Sequence, residues 1–386
     1  MNYHSTEKTY CYVGNWSKEG NAGIGIYHYA PDGSLTFIKT VREDISSGYV
    51  CIDQTKGVLY CVDERPNNID FGIVGGGGRV FAFKIDDSTG DLTEINHRST
   101  FTSLPCYVSI DKTGSFLMVS NHAGRMPVTK VMQDDKGNYY PAVQYDDAAV
   151  VLYTLNEDGS IGDATDYFVV PCESNLPARN PHLHSIIPSA VCDVFAVCDK
   201  GLDKLYMLTL DRENKKFLLH KGATALAPEK SAPRYGTFHP SKPYFFMNHE
   251  RSDLITAYRY DAESHTEAIC TLHSAPEDLI PSAEPSDIRI SSDGKFLYAF
   301  LRKINYAAVF SVSADGQLSL IQHLPLDGNN PRGINLTPDG KHLIVAYFLS
   351  KEVRTLDILP DGTLALTDKV DCHQLCPGNV NFYVAK

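Results

Sequence analysis

Apolar and polar residues alternate along most of this chain in short runs, the two-residue period of a strand with one buried face. Runs such as TYCYVG at 9–14, VLYCVD at 58–63 and FLYAFL at 296–301 are rich in Val, Tyr, Phe and Cys. Apart from Cys, these residue types favour pleated sheet. No stretch carries the apolar period of a long amphipathic helix. Tight turns separate the runs: PDGS at 31–34, STGD at 88–91, EDGS at 157–160, ADGQ at 314–317 and PDGT at 360–363. Glycine there supplies the positive φ that other residues resist. The pattern predicts antiparallel sheet throughout.

The runs also repeat. A first copy, GYVCIDQTKGVLYCVDE, begins at Gly48, and Pro-led copies begin at Pro105, Pro181, Pro233, Pro285 and Pro331. A truncated copy, PGNVNFYVAK, begins at Pro377 and ends the chain. Successive starts are 57, 76, 52, 52, 46 and 46 residues apart. Each copy reads as four antiparallel strands, the unit of a β-propeller blade. Residues 9–41 match the last three strands of a unit, and residues 377–386 match the missing first strand. The termini therefore complete one blade together, which removes a free edge. The expected fold is all-β: a single seven-bladed propeller domain spanning residues 1–386, with an insertion at about 123–147 inside one blade.

Composition narrows the partners. The net charge is −12, which disfavours nucleic acid and anionic membranes. No apolar run reaches the roughly 20 residues that span a bilayer, and MNYHSTEKTY has no apolar leader core. The ten cysteines are scattered without zinc spacing, pointing to free thiols in a cytoplasmic protein. Cys372 and Cys376, with His373 between them, come nearest to a metal pattern, but buried thiols are the better reading. No metal or cofactor is expected.

A propeller also fixes which residues meet. The first strand of each blade lines the central channel and the second returns to the same face, so the starts of first strands and the ends of second strands share one channel mouth. The starts carry His182, His184, Arg234 and Arg332. The ends carry Trp16, Glu64, His122, Lys200, His249, Glu250 and Arg302. This His- and Arg-rich set within an acidic protein predicts a small anionic ligand held by carboxylate or phosphate contacts. Inter-blade ion pairs with Asp63, Glu64, Asp199, Glu250 and Asp287 are the plainer alternative. His182 and His184 lie two apart in PHLH and should face the same side. Glu250 follows Arg234 by sixteen residues in the same blade, within reach of it and open to an acid–base role. Trp16 is placed to stack on a sugar ring or to pack at the rim. FGIVGGGGRV at 71–80 reads as a hairpin connection, not a phosphate loop. The 123–147 insertion lengthens the equivalent connection of the next blade, as a lid or as decoration.

YVGNW and GIGIYHY within 12–29, GGRVFAFKIDDSTGDL at 77–92, PCYVSID, PHLH, PRYGTFHP, NHE, SDIRISSDGKFLY and PRGINLTPDGKHLIVAY together resemble the lactonase family of seven-bladed propellers. That family includes propeller-type 6-phosphogluconolactonases and 3-carboxy-cis,cis-muconate lactonizing enzymes. The resemblance covers nearly the whole chain and implies a cofactor-independent enzyme acting on a lactone of a small anion. It further implies a catalytic His at His184 or His182, substrate-binding arginines at Arg234 and Arg302, and an acidic residue at Glu250, with a similar Glu64 two blades earlier. Departures exist: GPRH reads APRY, with Tyr235 in place of a His, NE reads NHE, and SNR reads FLR.

On this basis 6-phospho-D-glucono-1,5-lactone is the expected substrate. Glu250 or His184 would activate water, Arg302 or His182 would face the oxyanion, and Arg234 and Arg332 would grip the anion. Glu64, His122, Lys200 and Trp16 complete the expected binding set. Cyclisation of a carboxymuconate-like polyanion uses the same groups. A non-catalytic interaction propeller would instead present an apolar upper surface.

Overall fold

The computed structural model describes residues 8–17, 22–66, 77–173, 180–261 and 265–386. Seven antiparallel sheets follow one another around a ring. The first joins β1 (Thr9–Asn15), β2 (Ile24–Tyr29) and β3 (Leu35–Val41) to the final strand β31 (Pro377–Val384). The second holds β4 (Val50–Asp53), β5 (Val58–Asp63), β6 (Arg79–Ile85) and β7 (Leu92–Ser99). The third holds β8 (Pro105–Ile110), β9 (Phe116–Asn121), β12 (Ala148–Leu155) and β13 (Ile161–Val170). The fourth runs from β14 (Leu183–Pro188) and β15 (Val194–Asp199) to β17 (Lys216–Leu219), and the fifth from β19 (Pro233–Phe238) and β20 (Tyr244–His249) to β22 (His265–His273). The sixth spans β23 (Pro285–Ile290) to β26 (Leu318–Pro325), and the seventh β27 (Pro331–Leu336) to β30 (Leu364–Asp371).

Burial refines the expected alternation. The second strands β5, β9, β15 and β20 are buried at every position. A blade packs both faces against its neighbours, so its middle strands have no solvent side. Alternation survives on the outer edge, as in β3. The glycine turns dock on the adjacent blade. A Cβ on Gly90 (φ 76°) would stand 2.5 Å from the Tyr10 ring, and one on Gly159 (φ 85°) 2.6 Å from Val58. The carbonyls of these same glycines accept from Tyr12 Oη at 2.7 Å and Tyr60 Oη at 2.8 Å, so each turn is pinned to the blade before it.

Ring closure is as expected. β1 pairs with β31 in antiparallel register, with Tyr10 opposite Tyr383 and Tyr12 opposite Asn381. The insertion forms a ribbon of its own, β10 (Pro127–Gln133) paired with β11 (Tyr139–Tyr145). It walls a cleft of about 1470 Å³, with Lys130, Met132 and Tyr140 on the ribbon side facing Lys200, Leu202 and Arg251. The glycine-rich segment 71–76 lies outside the described residues. His373 stacks on Phe37 at 4.4 Å and pairs with Asp371 at 2.7 Å. All ten cysteines are free thiols.

Candidate active site

The residue after the second strand of each blade donates its backbone N–H to a carbonyl at the entry of the innermost strand. Trp16 donates to Cys376 (2.9 Å), Glu64 to Ser46 (2.9 Å), His122 to Leu104 (2.8 Å) and Lys200 to His182 (2.9 Å). Glu250 donates to Ala232 (2.8 Å), Arg302 to Glu284 (2.9 Å) and Phe348 to Asn330 (2.9 Å). These equivalent positions, one per blade, form a ring around one channel mouth. The order of side chains around it sets the neighbours each one meets.

On one side, Glu250 sits between cations. Lys200 Nζ meets its Oε1, Arg302 Nη2 lies 3.0 Å from the same oxygen, and Arg234 Nε lies 3.0 Å from Oε2. Nε of Arg234 makes no directional hydrogen bond there, so that contact is Coulombic. Burial pushes the Glu250 carboxyl up, but Lys200, Arg302 and Arg234 together outweigh it and hold it well below its ordinary range. Arg234 also donates to the Ser286 carbonyl and lies 4.2 Å from the centre of the Tyr235 ring. Tyr235, where the resemblance leads one to expect a His, therefore backs the buried arginine. Arg302 is shared with Glu284, which also takes Lys303 at 2.6 Å. Burial lowers Lys200 to about 8 despite Glu250, and lowers Arg302 to about 10.

The histidines form the next sector. His182 stacks on His122 at 4.3 Å, and His184 meets His122 edge-on at 5.5 Å and Tyr235 at 5.1 Å. His182 Nδ1 donates to the Ala123 carbonyl at 3.0 Å, since a carbonyl can only accept. Burial, reinforced by Arg234 and Lys200, keeps His184 neutral, and among the described residues its Nδ1 has no hydrogen-bond partner. A buried polar atom without a partner is uncommon in a folded protein and singles this histidine out.

On the far side, Arg332 lies 4.8 Å from the Trp16 ring and 5.1 Å from the Phe348 ring, and these two rings are 5.8 Å apart. Trp16 thus packs at the rim with a cation on its face. Among the described residues no carboxylate forms a salt bridge with Arg332. Glu64, next to Trp16 on the ring, likewise has no ion pair among the described residues.

Several expected mouth residues face elsewhere. His249 points into its blade, between Ser231 (2.9 Å) and Thr256 (2.8 Å). Asp63 accepts from Ser46 N at 2.8 Å and pairs with Arg65 and Arg79. Asp199 accepts the backbone N–H groups of His182, Gly201 and Leu202 at 3.0, 3.0 and 3.1 Å. Asp287 is taken by Arg289 and the Ile334 N–H. Glu64 lies three blades before Glu250, not two. Sequence reasoning missed Glu284, Phe348 and Arg125, the last an exposed cation at the start of the insertion whose charge acts on Glu64 and His122. The signal for Phe348 was its alignment with Trp16 and Arg302, one residue beyond Tyr347.

The family model of the lactonases, described as seven-bladed beta-propellers, matches residues 10–376. The chain belongs to this family. It is 26% identical to a 6-phosphogluconolactonase of Bacillus subtilis, over 90% of this chain and 93% of that one. It is 27% identical to a 6-phosphogluconolactonase of Formosa agariphila, over 89% and 90% of the two chains. The fold matches a periplasmic gluconolactonase of Pseudomonas aeruginosa with a TM-score of 0.79 at 20% identity, covering 98% of this chain and 100% of that one. Within the matched residues, PHLH carries the histidine sector, and PRYG and NHE carry the Arg234–Glu250 pair.

Proposed function

We propose that this lactonase-family propeller hydrolyses a small anionic sugar lactone without a cofactor, with 6-phospho-D-glucono-1,5-lactone as substrate and 6-phosphogluconate as product. The observation that carries the reading is the cation surplus at the mouth. Lys200, Arg234, Arg302, Lys303 and Arg332 outnumber the carboxylates Glu250, Glu284 and Glu64 that act on them, and Arg332 has no salt bridge among the described residues. A partly buried guanidinium between two rings, with no salt bridge among the described residues, is suited to bidentate contact with a phosphate. The named relatives support the same substrate class.

Binding the phosphate at Arg332 leaves the lactone ring over the histidine sector. Attack on the carbonyl develops charge on its oxygen, and pre-placed donors lower that barrier more than they lower the ground state. Neutral His184 and the Lys200 ammonium are the donors at hand. Glu250 keeps Lys200, Arg234 and Arg302 in register. Ten free thiols favour a cytoplasmic setting.

The test is a coupled assay with excess 6-phosphogluconate dehydrogenase, read above the spontaneous rate. Turnover of 6-phosphogluconolactone supports the reading. Inactivity there, with cyclisation of 3-carboxymuconate instead, replaces it.

A further inference from the structure

The ring places two glutamates at equivalent positions in opposite surroundings. Glu250 has Lys200 and Arg302 as blade neighbours and a third cation, Arg234, behind it. Such a carboxylate is a poor proton acceptor because its charge is already compensated. Glu64 has Trp16 and His122 on the neighbouring blades. Its room is made by a missing side chain: a Cβ on Gly48 would stand 2.3 Å from Glu64 Oε2 and 3.1 Å from Trp16 Cδ1. Two carboxylates driven apart by their environments mark out acid–base assignments.

We infer that Glu64 is the catalytic acid–base residue, taking a proton from the attacking water and returning it to the ring oxygen, while Glu250 is a positioning residue. The inference rests on the lactone-hydrolysis reading. The water oxygen bonds to the carbonyl carbon as one water proton passes to the Glu64 carboxylate. The tetrahedral adduct then collapses, the bond from carbon to ring oxygen breaks, and Glu64 gives that proton to the leaving oxygen. The second water proton stays on the new carboxyl group and is lost to solvent.

The groups acting on Glu64 come from separate elements: Arg332 on β27, Arg234 on β19, Arg125 at the start of the insertion, the Trp16 indole, and Cys106 on β8. Burial is the strongest influence and raises the carboxyl to about 7, with Arg332 the largest opposing one. A group titrating there exchanges protons readily in both directions at neutral pH.

The experiment compares wild type, Glu64→Gln and Arg332→Gln in the coupled assay from pH 6 to 8. Carboxyl infrared difference spectra, wild type minus Glu64→Gln, are recorded over the same range. The wild-type kcat should fall as pH drops through an inflection near 7, because the base must be ionised. Glu64→Gln should lose roughly 10²- to 10⁴-fold in kcat with little change in KM, and should lose the inflection. Arg332→Gln removes the main opposing cation, so the inflection and the infrared titration should both move to higher pH. The shift of the kinetic inflection carries the test if Glu64→Gln fails to fold. An active wild type with Glu64→Gln within about threefold of it, or a Glu64 carboxyl titrating below pH 5, overturns this assignment alone. A wild type without lactonase activity overturns the functional reading and this one with it.

Discussion

Replacing Glu250 by Gln keeps the side chain's shape and removes the charge that holds Lys200, Arg234 and Arg302 together. The carboxylate is only 9% exposed, and Arg234 is 2% exposed, so water cannot replace it. Removing one partner from a buried ion pair costs roughly 3–5 kcal/mol, because the other charge stays buried. An unfolding entropy of about 2.1 cal/mol/K per residue gives about 0.8 kcal/mol/K for 386 residues. The melting midpoint at pH 7 should therefore drop by about 4 to 6 °C. The pH dependence has a definite sign. The Glu250 carboxyl is depressed in the folded state, so its stabilisation is complete above the unfolded value of about 4.3 and fades as pH falls through the folded one. Calorimetric melts of wild type and Glu250→Gln should stay clearly apart from pH 7 to about pH 5, and converge in stronger acid. Midpoints within about 1 °C at pH 7, or a gap that widens on acidification, would refute the charge-brace argument.

Three further outcomes follow from the same geometry. Arg332→Gln should raise KM for the phosphorylated lactone about ten- to a hundredfold, the worth of one charge-assisted contact, while thermal stability barely changes. Gly48→Ala places a methyl group 2.3 Å from the Glu64 carboxylate. It should lower kcat by roughly tenfold or more through misplacement, and circular dichroism should remain native. Deleting residues 377–386 removes the strand that pairs with β1 along its length, so the truncated chain should aggregate or melt without cooperativity in calorimetry.

The blades were legible because a strand period, a turn residue and a repeated proline are all local signals. The mouth was legible in outline, since propeller geometry turns strand ends into neighbours: Trp16, Glu64, His122, Lys200, Glu250 and Arg302 all proved to be ring members. What the chain could not show is which way each residue of a strand-end pair faces. His249 and Glu250 are adjacent, yet successive side chains point to opposite faces, so one enters the blade and the other the mouth. Asp63 and Glu64, and Asp199 and Lys200, divide in the same way. The role of Glu284 depended on side-chain contacts with Arg302 and Lys303 that the repeat does not specify, and the insertion was legible from the 76-residue spacing while the action of its Arg125 on Glu64 was not.

The shared backbone bond at the seven ring positions makes the mouth a circular word, Trp–Glu–His–Lys–Glu–Arg–Phe, spelled one letter per blade. Its backbone anchor is indifferent to the letter it carries, so a letter can change while the frame around it persists. Meaning comes from adjacency: the same letter, Glu, is a locked counter-ion between Lys and Arg and a titrating acid between Trp and His. Relatives on this frame can thus acquire different chemistry by reordering neighbours, without altering the blades that display them.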